Sequence, residues 1–339
     1  MERRTFIIGG VAGGVGLAQY IFVSRYMNSM RASRGGISVR AFQKFGPQAA
    51  LVAITPNGDF YITSKGSTPH VIRNDWRLQI DGLVTRPLTL TYRDILALPQ
   101  IEPVMTLECI SNPIGGNFLG NARWTGTPLA PLLERVRPLA EATTAVIHAA
   151  DGYTTGIPME RMWEEENFLA YKMNGEILPP AHGYPLRIFL PGKFGMKQPK
   201  WVTRIELVRE KYLGYWEKKG WSDDSERAAH ARFTDLKDGA KFSGENLELI
   251  GYALGPLEGI RAVEVSFDEG ASWQQAELSS NPSPLAWTFW RYLWMNPQPG
   301  KYGLLVRAID NEGRVQPPDP QHIFPDGATG RQRLTVTVI

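Results

Sequence analysis

Apolar and polar residues alternate in the first part of the chain in a pattern that predicts strands mixed with short helices. Trp76, Leu78 and Ile80 are separated by polar residues, as in a strand with one buried face. Thr91 and Asp94 have the spacing of a capping box, which predicts the start of a short helix directly after Thr91. Strands and helices are therefore expected together here, which is an α+β arrangement.

A further predicted strand covers residues 104–109 and ends in a loop rich in glycine and asparagine at 111–120. Thr127-Pro128 follows and predicts the N-cap and first-turn proline of a second helix. The apolar face of that helix comprises Leu129, Leu132, Leu133 and Val136. The loop at 111–120 thus begins where a strand ends, and strand-to-loop junctions are where functional sites are common.

After about Gly244 the pattern changes to strands and turns only. Val263 and Val265 alternate with polar residues, and a turn at 268–270 follows. The same alternation recurs at 302–308 and 334–338 without a helical period. An immunoglobulin-like sandwich is therefore predicted for residues 246–339, after a first domain at 51–245.

Composition is consistent with two globular domains. The 339 residues exceed one ordinary domain, and 43% are hydrophobic against 21% charged. The net charge is only +3, and no basic run interleaved with aromatic residues indicates a nucleic-acid partner. The single cysteine excludes an internal disulfide, so an extracytoplasmic location can be argued only from targeting.

The N-terminus carries such a targeting pattern. Arg3-Arg4-Thr5-Phe6 precedes an apolar, glycine-rich stretch at 7–23, as in a twin-arginine export signal. A signal-anchor helix is the alternative, and both place the rest of the chain in the periplasm or otherwise outside the cytoplasm. Cleavage of residues 1–23 and their retention as a membrane tether stay open. Residues 24–50 are polar and are predicted to be a linker.

The lone cysteine, Cys109, ends the strand at 104–109. By default a lone cysteine is an inert buried thiol. A zinc site is disfavoured, because only one thiolate is present and the histidines lack ligand spacing. A cysteine nucleophile working with a histidine stays open.

Residues 104–116 read Val-Met-Thr-Leu-Glu-Cys-Ile-Ser-Asn-Pro-Ile-Gly-Gly, and Gly-Asn-Ala-Arg-Trp-Thr-Gly-Thr-Pro-Leu follows at 120–129. This stretch closely resembles the molybdenum-cysteine segment of the sulfite oxidase family. Matches to the family's lead-in strand, pterin-binding segment and dimerisation domain follow the family's order at 76–84, 174–201 and 263–291. Four ordered matches are far more specific than one motif.

The resemblance implies a sulfite oxidase-type molybdopterin domain at 51–245 followed by an immunoglobulin-like dimerisation domain at 246–339. Cys109 would be the molybdenum ligand and the catalytic residue, since a soft thiolate suits a soft, high-valent metal. The pterin dithiolene would supply two more sulfurs, and its phosphate would need cations. The implied cofactor-binding residues are His182, Arg187, Lys200, Lys197, Asn57, Tyr61, Lys65 and Asp151.

The implied activity is two-electron chemistry, oxygen-atom transfer in the first place, on a small oxyanion or an S- or N-oxide. Pro113 and Ile114 replace an arginine pair of sulfite-oxidising members, which argues against sulfite as the substrate. Trp221 or Tyr215 is the candidate for the family's active-site tyrosine, and Arg291 for an anion contact from the second domain.

Without a haem or flavin motif, electrons would pass to or from a separate cytochrome or membrane haem subunit. A homodimer is also compatible with the resemblance. The alternative hypothesis is an exported binding module that keeps the fold without the cofactor.

Overall fold

The computed structural model describes residues 54–339 except 235, 244–245, 280 and 282. The predicted export segment (1–23) and linker (24–50) lie outside the described residues. Within the described ranges, no helix is both long enough and apolar enough to cross a membrane.

Strands dominate the first part of the described chain. They are β1 (Arg77–Gly82), β2 (Leu88–Thr91), β3 (Val104–Glu108), β4 (Leu119–Pro128), β5 (Thr144–Ala149), β6 (Thr154–Pro158), β7 (Phe168–Met173), β8 (Glu176–Ile177), β9 (Arg187–Phe189) and β10 (Val202–Val208). The helices are short: α1 (Tyr92–Leu96), α2 (Ala130–Val136) and α3 (Met159–Met162). The described fold is mostly β with few helices, so the α+β prediction is not confirmed in that detail.

Two sheets build this part. One has the order β2–β1–β10–β5–β6, in which only β1 and β10 run parallel. The other has the order β3–β4–β7–β8, with β9 added on β7. The alternation predicted around Leu78 and Ile80 is confirmed, because both side chains are fully buried in the core that α2 also covers. The second sheet matters most for function, since β3 ends directly before Cys109.

The predictions for the starts of the two helices had different outcomes. The capping box is confirmed: the Thr91 hydroxyl accepts the Asp94 N–H, and the Asp94 carboxylate accepts the Thr91 N–H. The predicted N-cap at Thr127-Pro128 is wrong. Thr127 and Pro128 pair with β7 as the end of β4, and the N-cap of α2 is Leu129, with a proline in the first turn. The sheet pairing of Thr127 outweighs its capping preference.

The second part is a two-sheet sandwich. Its strands are β11 (His230–Phe233), β12 (Ala240–Phe242), β13 (Asn246–Leu254), β14 (Ile260–Ser266), β15 (Gln274–Gln275), β16 (Glu277–Leu278), β17 (Thr288–Met295), β18 (Gly300–Asp310) and β19 (Gln332–Val338). The sheet orders are β11–β13–β17–β16 and β12–β19–β18–β14–β15. Val263 and Val265 are 0% exposed and lie in the core between the sheets, as predicted.

The sandwich also includes β11 and β12, which precede residue 246, where the second domain was predicted to begin. These strands are four and three residues long, too short to give an alternation signal in the sequence.

The sandwich binds the free edge of β3. The Thr106 N–H donates to Leu285 O (3.1 Å), and the Ser283 hydroxyl donates to Val104 O (2.7 Å). The Thr106 hydroxyl accepts the Trp287 N–H (2.9 Å) and donates to Asn121 Oδ1 (3.0 Å). A buried threonine therefore ties the strand that leads to Cys109 to both parts of the protein.

Thr106→Val tests this connection. Valine keeps the volume, but it leaves the buried Trp287 N–H without an acceptor, which costs about 1–3 kcal/mol. We expect the free energy of unfolding, measured in urea, to fall by about that amount. Thr89→Val on the exposed side of β2 is the matched control and should change it by less than about 0.5 kcal/mol. Equal effects of the two substitutions would contradict the proposed connection.

Candidate functional site

Cys109 lies at the end of β3 and is only 9% exposed. Its N–H donates to Phe118 O (2.9 Å), which closes the loop that the two residues flank. Its Sγ lies 3.0 Å from the Ser111 hydroxyl oxygen. Burial raises the pKa of the Cys109 thiol, while hydrogen bonds from Ser111 and Thr63 oppose the rise. The thiol is thus sheltered, yet it has hydrogen-bonding partners that would also serve a thiolate.

Asn112 fixes the shape of the loop after Cys109. Its N–H donates to Cys109 O (2.9 Å), and its Oδ1 accepts the Phe118 N–H (2.9 Å). The Asn112 Nδ2 group donates to Glu108 Oε1 (2.8 Å). The backbone and side chain of Asn112 together therefore bond to both ends of the loop, which limits the positions that Cys109 can take.

Three predicted residues, His182, Arg187 and Lys200, meet around Gly183. A Cβ on Gly183 would lie 3.1 Å from Arg187 Cβ and 3.2 Å from Lys200 Cβ, and its φ of +119° also favours glycine. Arg187 Nη1 donates to His182 O (3.1 Å), and Lys200 Nζ donates to Ala181 O (2.9 Å). Because Gly183 has no side chain, the Cβ atoms of Arg187 and Lys200 can both lie close to it.

The cationic group consists of Arg187 and Lys200, with the neutral His182 beside them. Arg187 and His182 are buried and Lys200 is partly buried, and among the described residues no carboxylate forms an ion pair with any of the three. Burial lowers the pKa of Arg187 to about 10, and burial with the nearby Arg187 lowers the pKa of Lys200 to about 7. Burial, then Arg187, lowers the pKa of His182 to about 4. Arg187 Nε is buried without a hydrogen-bond partner among the described residues. Such a group fits an anionic ligand that would supply the missing negative charge.

Tyr61 and Asn57 lie beside the cationic group. Asn57 O is 3.3 Å from His182 Nε2, while the Asn57 amide bonds to Met173 O, Glu176 and Asn174 and so holds its own loop. Burial and the neighbouring Cys109 raise the pKa of Tyr61, and Arg187 opposes the rise. Tyr61 therefore connects the cysteine with the cationic group as a neutral phenol.

Lys65 and Asp151 lie on another wall of the candidate site. Lys65 Nζ lies 5.3 Å from the centre of the Tyr215 ring, and Lys219 Nζ lies 4.8 Å from the same ring. Asp151 Oδ1 accepts the Tyr153 N–H (2.9 Å), and its charge favours the ammonium form of Lys200. Asp151 thus links this wall to the cationic group.

Lys197 does not join the group. Its ammonium donates to Gly156 O (3.0 Å), Glu217 Oε1 (2.6 Å) and Asp223 Oδ1 (2.9 Å). A lysine has three donor hydrogens, and these acceptors use them all. The structure therefore gives Lys197 a structural position, although the sequence places it in the same segment as Lys200.

Two further candidates lie in different surroundings. Arg291 forms ion pairs with Glu277 (2.8 Å) and Glu248 (3.8 Å) on the sandwich. Trp221 is buried and packs edge-on against Phe324, 5.2 Å between ring centres. Arg291 thus has its charge satisfied by carboxylates of its own domain.

Sequence reasoning missed a loop of the sandwich near Cys109. A Cβ on Gly327 would lie 2.8 Å from the Phe194 ring and 3.5 Å from Ile110 Cγ1, the residue after Cys109. It also missed Thr63, whose carbonyl accepts a hydrogen bond from Lys200 Nζ (2.9 Å). Backbone carbonyls leave no signal in a sequence, but Gly183, next to a predicted histidine, could have indicated close packing.

Comparisons with known proteins agree with this layout. Residues 65–216 match a family model described as an oxidoreductase molybdopterin binding domain. Residues 230–324 match a model described as a Mo-co oxidoreductase dimerisation domain. The two matches follow the same order as the two parts of the fold.

Individual relatives support the same grouping. The chain is 34% identical to the uncharacterized oxidoreductase YuiH of Bacillus subtilis (strain 168) over 159 residues, 47% of this chain and 78% of that protein. It is 28% identical to mitochondrial sulfite oxidase of Homo sapiens over 332 residues, 83% of this chain and 61% of that protein. It also resembles the nitrate reductase [NADPH] of Aspergillus niger at 27% identity, over 77% of this chain and 39% of that protein. The chain thus spans about 60% of the length of the sulfite oxidases it matches.

Among solved structures, the sulfane dehydrogenase SoxCD of Paracoccus pantotrophus superposes with a TM-score of 0.72 at 24% identity. The match covers 84% of this chain and 81% of that one, and it supports the fold.

The thiol of Cys109 gives a direct test of the site's burial. Because burial raises its pKa, the reactive thiolate should still be a minor species at about pH 8.5, the ordinary cysteine pKa. In metal-free protein, the alkylation rate should rise about tenfold per pH unit up to about pH 9, whereas that of free cysteine levels off. Mass spectrometry reports the rate without ambiguity, since the chain has one cysteine. A plateau below about pH 8 would contradict the raised pKa.

Proposed function

The chain belongs to the sulfite oxidase family of molybdopterin-dependent oxidoreductases, and we propose that it catalyses two-electron oxygen-atom transfer on a small oxyanion or an S- or N-oxide. The observation that carries the proposal is the buried thiol of Cys109 near the cationic group, which forms no ion pair with a carboxylate among the described residues. The first feature suits a soft metal, and the second suits a phosphate.

The described residues fit the molybdenum cofactor. Arg187 offers an unpaired, buried Nε–H, and Lys200 an ammonium beside it, as the terminal phosphate of a pterin requires. Cys109 would be the protein's ligand to the metal. Within the part of the chain that the structure describes, no group of three or more His, Cys, Asp or Glu side chains could hold a metal. A single thiolate fits a metal whose other sulfurs come with the cofactor.

When bound, the cofactor supplies the two-electron redox change and the site for oxygen transfer. The chain's own residues prepare its surroundings. Cys109 would give up its proton on binding the metal, and Ser111 would hydrogen-bond the resulting thiolate. Tyr61 keeps the proton on its Oη, because burial and the cysteine raise its pKa. It can therefore donate a hydrogen bond in the site without adding a second negative charge.

The residues after Cys109 favour an S- or N-oxide over a doubly charged oxyanion. A Cβ on Gly327 would meet both Phe194 and Ile110, and Pro113 and Ile114 occupy the position of the family's arginine pair. Arg291 is paired with carboxylates on the sandwich. An anion with two charges would thus lack a bidentate partner at this loop, whereas a neutral polar oxide does not require one.

We further infer a separate electron-transfer partner, a homodimer and an extracytoplasmic location. A covalent haem motif of the Cys-x-x-Cys-His type needs two cysteines, and the chain has one. A cytochrome or a membrane haem subunit is therefore the proposed partner. The dimerisation-domain match supports the homodimer, and the twin arginines at 3–4 support export.

Metal analysis tests the function directly. We expect one molybdenum and one pterin per chain in the cofactor-replete protein, and turnover with S- or N-oxides as acceptors. Cys109→Ser should remove the thiolate-to-metal absorption and the turnover, while Thr89→Val should leave both intact. A protein prepared with the cofactor available that still contains no molybdenum would rule the proposal out. Unchanged activity in Cys109→Ser would favour the cofactor-free binding module.

Lys200 makes cofactor retention depend on pH. Its pKa is lowered to about 7, so above that pH the lysine must take up a proton to pair with a bound phosphate. Relative to a variant whose cation at this position does not titrate, the affinity for the cofactor should therefore fall by up to about tenfold per pH unit between about pH 7 and about pH 10. Molybdenum retained after dialysis at about pH 6.5 and about pH 9 measures this. Lys200→Arg stays charged throughout and shares every other titration, including the proton released by Cys109, so the ratio of native to Lys200→Arg retention should fall as the pH rises; a constant ratio would contradict the role of Lys200.

A further inference from the structure

A buried carboxylate lies directly before Cys109 in the chain. Glu108 is the last residue of β3 and is 3% exposed. Side chains alternate along a strand, so Glu108 and Cys109 project to opposite sides. A buried carboxylate is costly unless it is hydrogen-bonded or balanced by positive charge. The partners of Glu108 therefore indicate why it is tolerated in this position.

On the side of the Cys109 loop, Glu108 has one hydrogen-bond donor. Asn112 Nδ2 donates to its Oε1 (2.8 Å), and the same asparagine bonds to Cys109 O and to the Phe118 N–H. The chain of contacts from Glu108 through Asn112 thus reaches both ends of the loop. Any movement of the carboxylate is transmitted to the backbone of Cys109.

On the other side, Glu108 faces the sandwich. His230 Nε2 lies 3.6 Å from its Oε1. Burial lowers the pKa of Arg227 and of Arg232, and the charge of Glu108 opposes this lowering in both. Arg232 is 2% exposed and lies on β11 with His230, while Arg227 donates two hydrogen bonds to Gly255 O, at 3.0 and 2.7 Å. The counter-charges of Glu108 therefore come from Arg232 on β11 and from Arg227, whose side chain is bound to Gly255 of the sandwich.

The balance is electrostatic and not a direct ion pair. Glu108 Oε2 and Arg232 Nε are both buried without a hydrogen-bond partner among the described residues. The Glu108 carboxylate and the two arginine side chains still attract each other without direct contact, because the protein interior screens charge poorly. This attraction pulls the carboxylate toward the sandwich, while Asn112 holds it to the loop.

We propose that Glu108 is a positioning residue through which the sandwich domain orients the Cys109 sulfur toward its metal. The inference rests on the proposed function, because it concerns the geometry of the thiolate ligand. It assigns the second domain a task beyond dimerisation: Arg227, His230 and Arg232 set the position of Glu108, and Asn112 passes that position to the loop.

The experiment uses the holoenzyme of Glu108→Gln, with three readouts: molybdenum per chain, the EPR spectrum of the partly reduced metal centre, and kcat with KM. We expect the EPR g-values to shift and kcat to fall by about 10- to 100-fold at unchanged KM, since residues behind a metal ligand have effects of that size. Glu264→Gln is the matched control, a carboxylate paired with Arg307 (2.6 Å) inside the sandwich. It should leave the spectrum unchanged.

Further variants separate positioning from general stability. Asn112→Ala should shift the spectrum in the same way, and the double variant should shift it no further, because the two residues act along one link. Arg232→Lys should keep the native spectrum and Arg232→Gln should not. These variants also carry the test if Glu108→Gln does not fold.

The outcomes distinguish the two proposals. Native protein without molybdenum would sink the proposed function and this inference with it. A native protein with molybdenum, whose spectrum is the same in the Glu108, Asn112 and Arg232 variants, would overturn the positioning role alone.

Discussion

The constraint on which the site depends is the burial of β3 between two domains. One edge of this strand pairs with β4, and the other edge is bound by residues 283–287 of the sandwich. Thr106 bonds to both sides at once, so the strand cannot slide without breaking buried hydrogen bonds. Cys109 follows three residues later and inherits this fixed position. A flexible loop would not present a single thiol with the same accuracy.

The second feature of the site is its uncompensated positive charge. Holding the buried Arg187 beside the partly buried Lys200 costs free energy, and the lowered pKa values of both express that cost. The binding free energy of a ligand can offset such a cost, and an anion that binds only the folded state stabilises that state. Stability and cofactor content would therefore be coupled in this family member through the side chains proposed to hold the phosphate.

The sequence predicted several strands correctly, but it did not predict the hydrogen-bond partners of individual side chains. Period-two alternation identified β1, β14 and β18, because one buried face leaves a direct trace in the chain. It could not separate Lys197 from Lys200, which are three positions apart in one matching segment. The two lysines differ in their hydrogen-bond acceptors. The ammonium of Lys197 donates to the carboxylates of Glu217 and Asp223, whereas that of Lys200 donates to backbone carbonyls. Likewise, Thr127-Pro128 is compatible with a cap and with a strand end, and only the pairing partner in β7 decides.

The position of Gly327 has a consequence for biosynthesis. A side chain at this position would meet both Phe194 and Ile110, although Gly327 is separated from Ile110 by more than 200 residues of chain. The surroundings of the cysteine are thus complete only when residue 327 has been synthesised and has folded against the first domain. A protein truncated before this loop would lack part of those surroundings. Loading of a large prosthetic group therefore follows the folding of both domains rather than of the first domain alone.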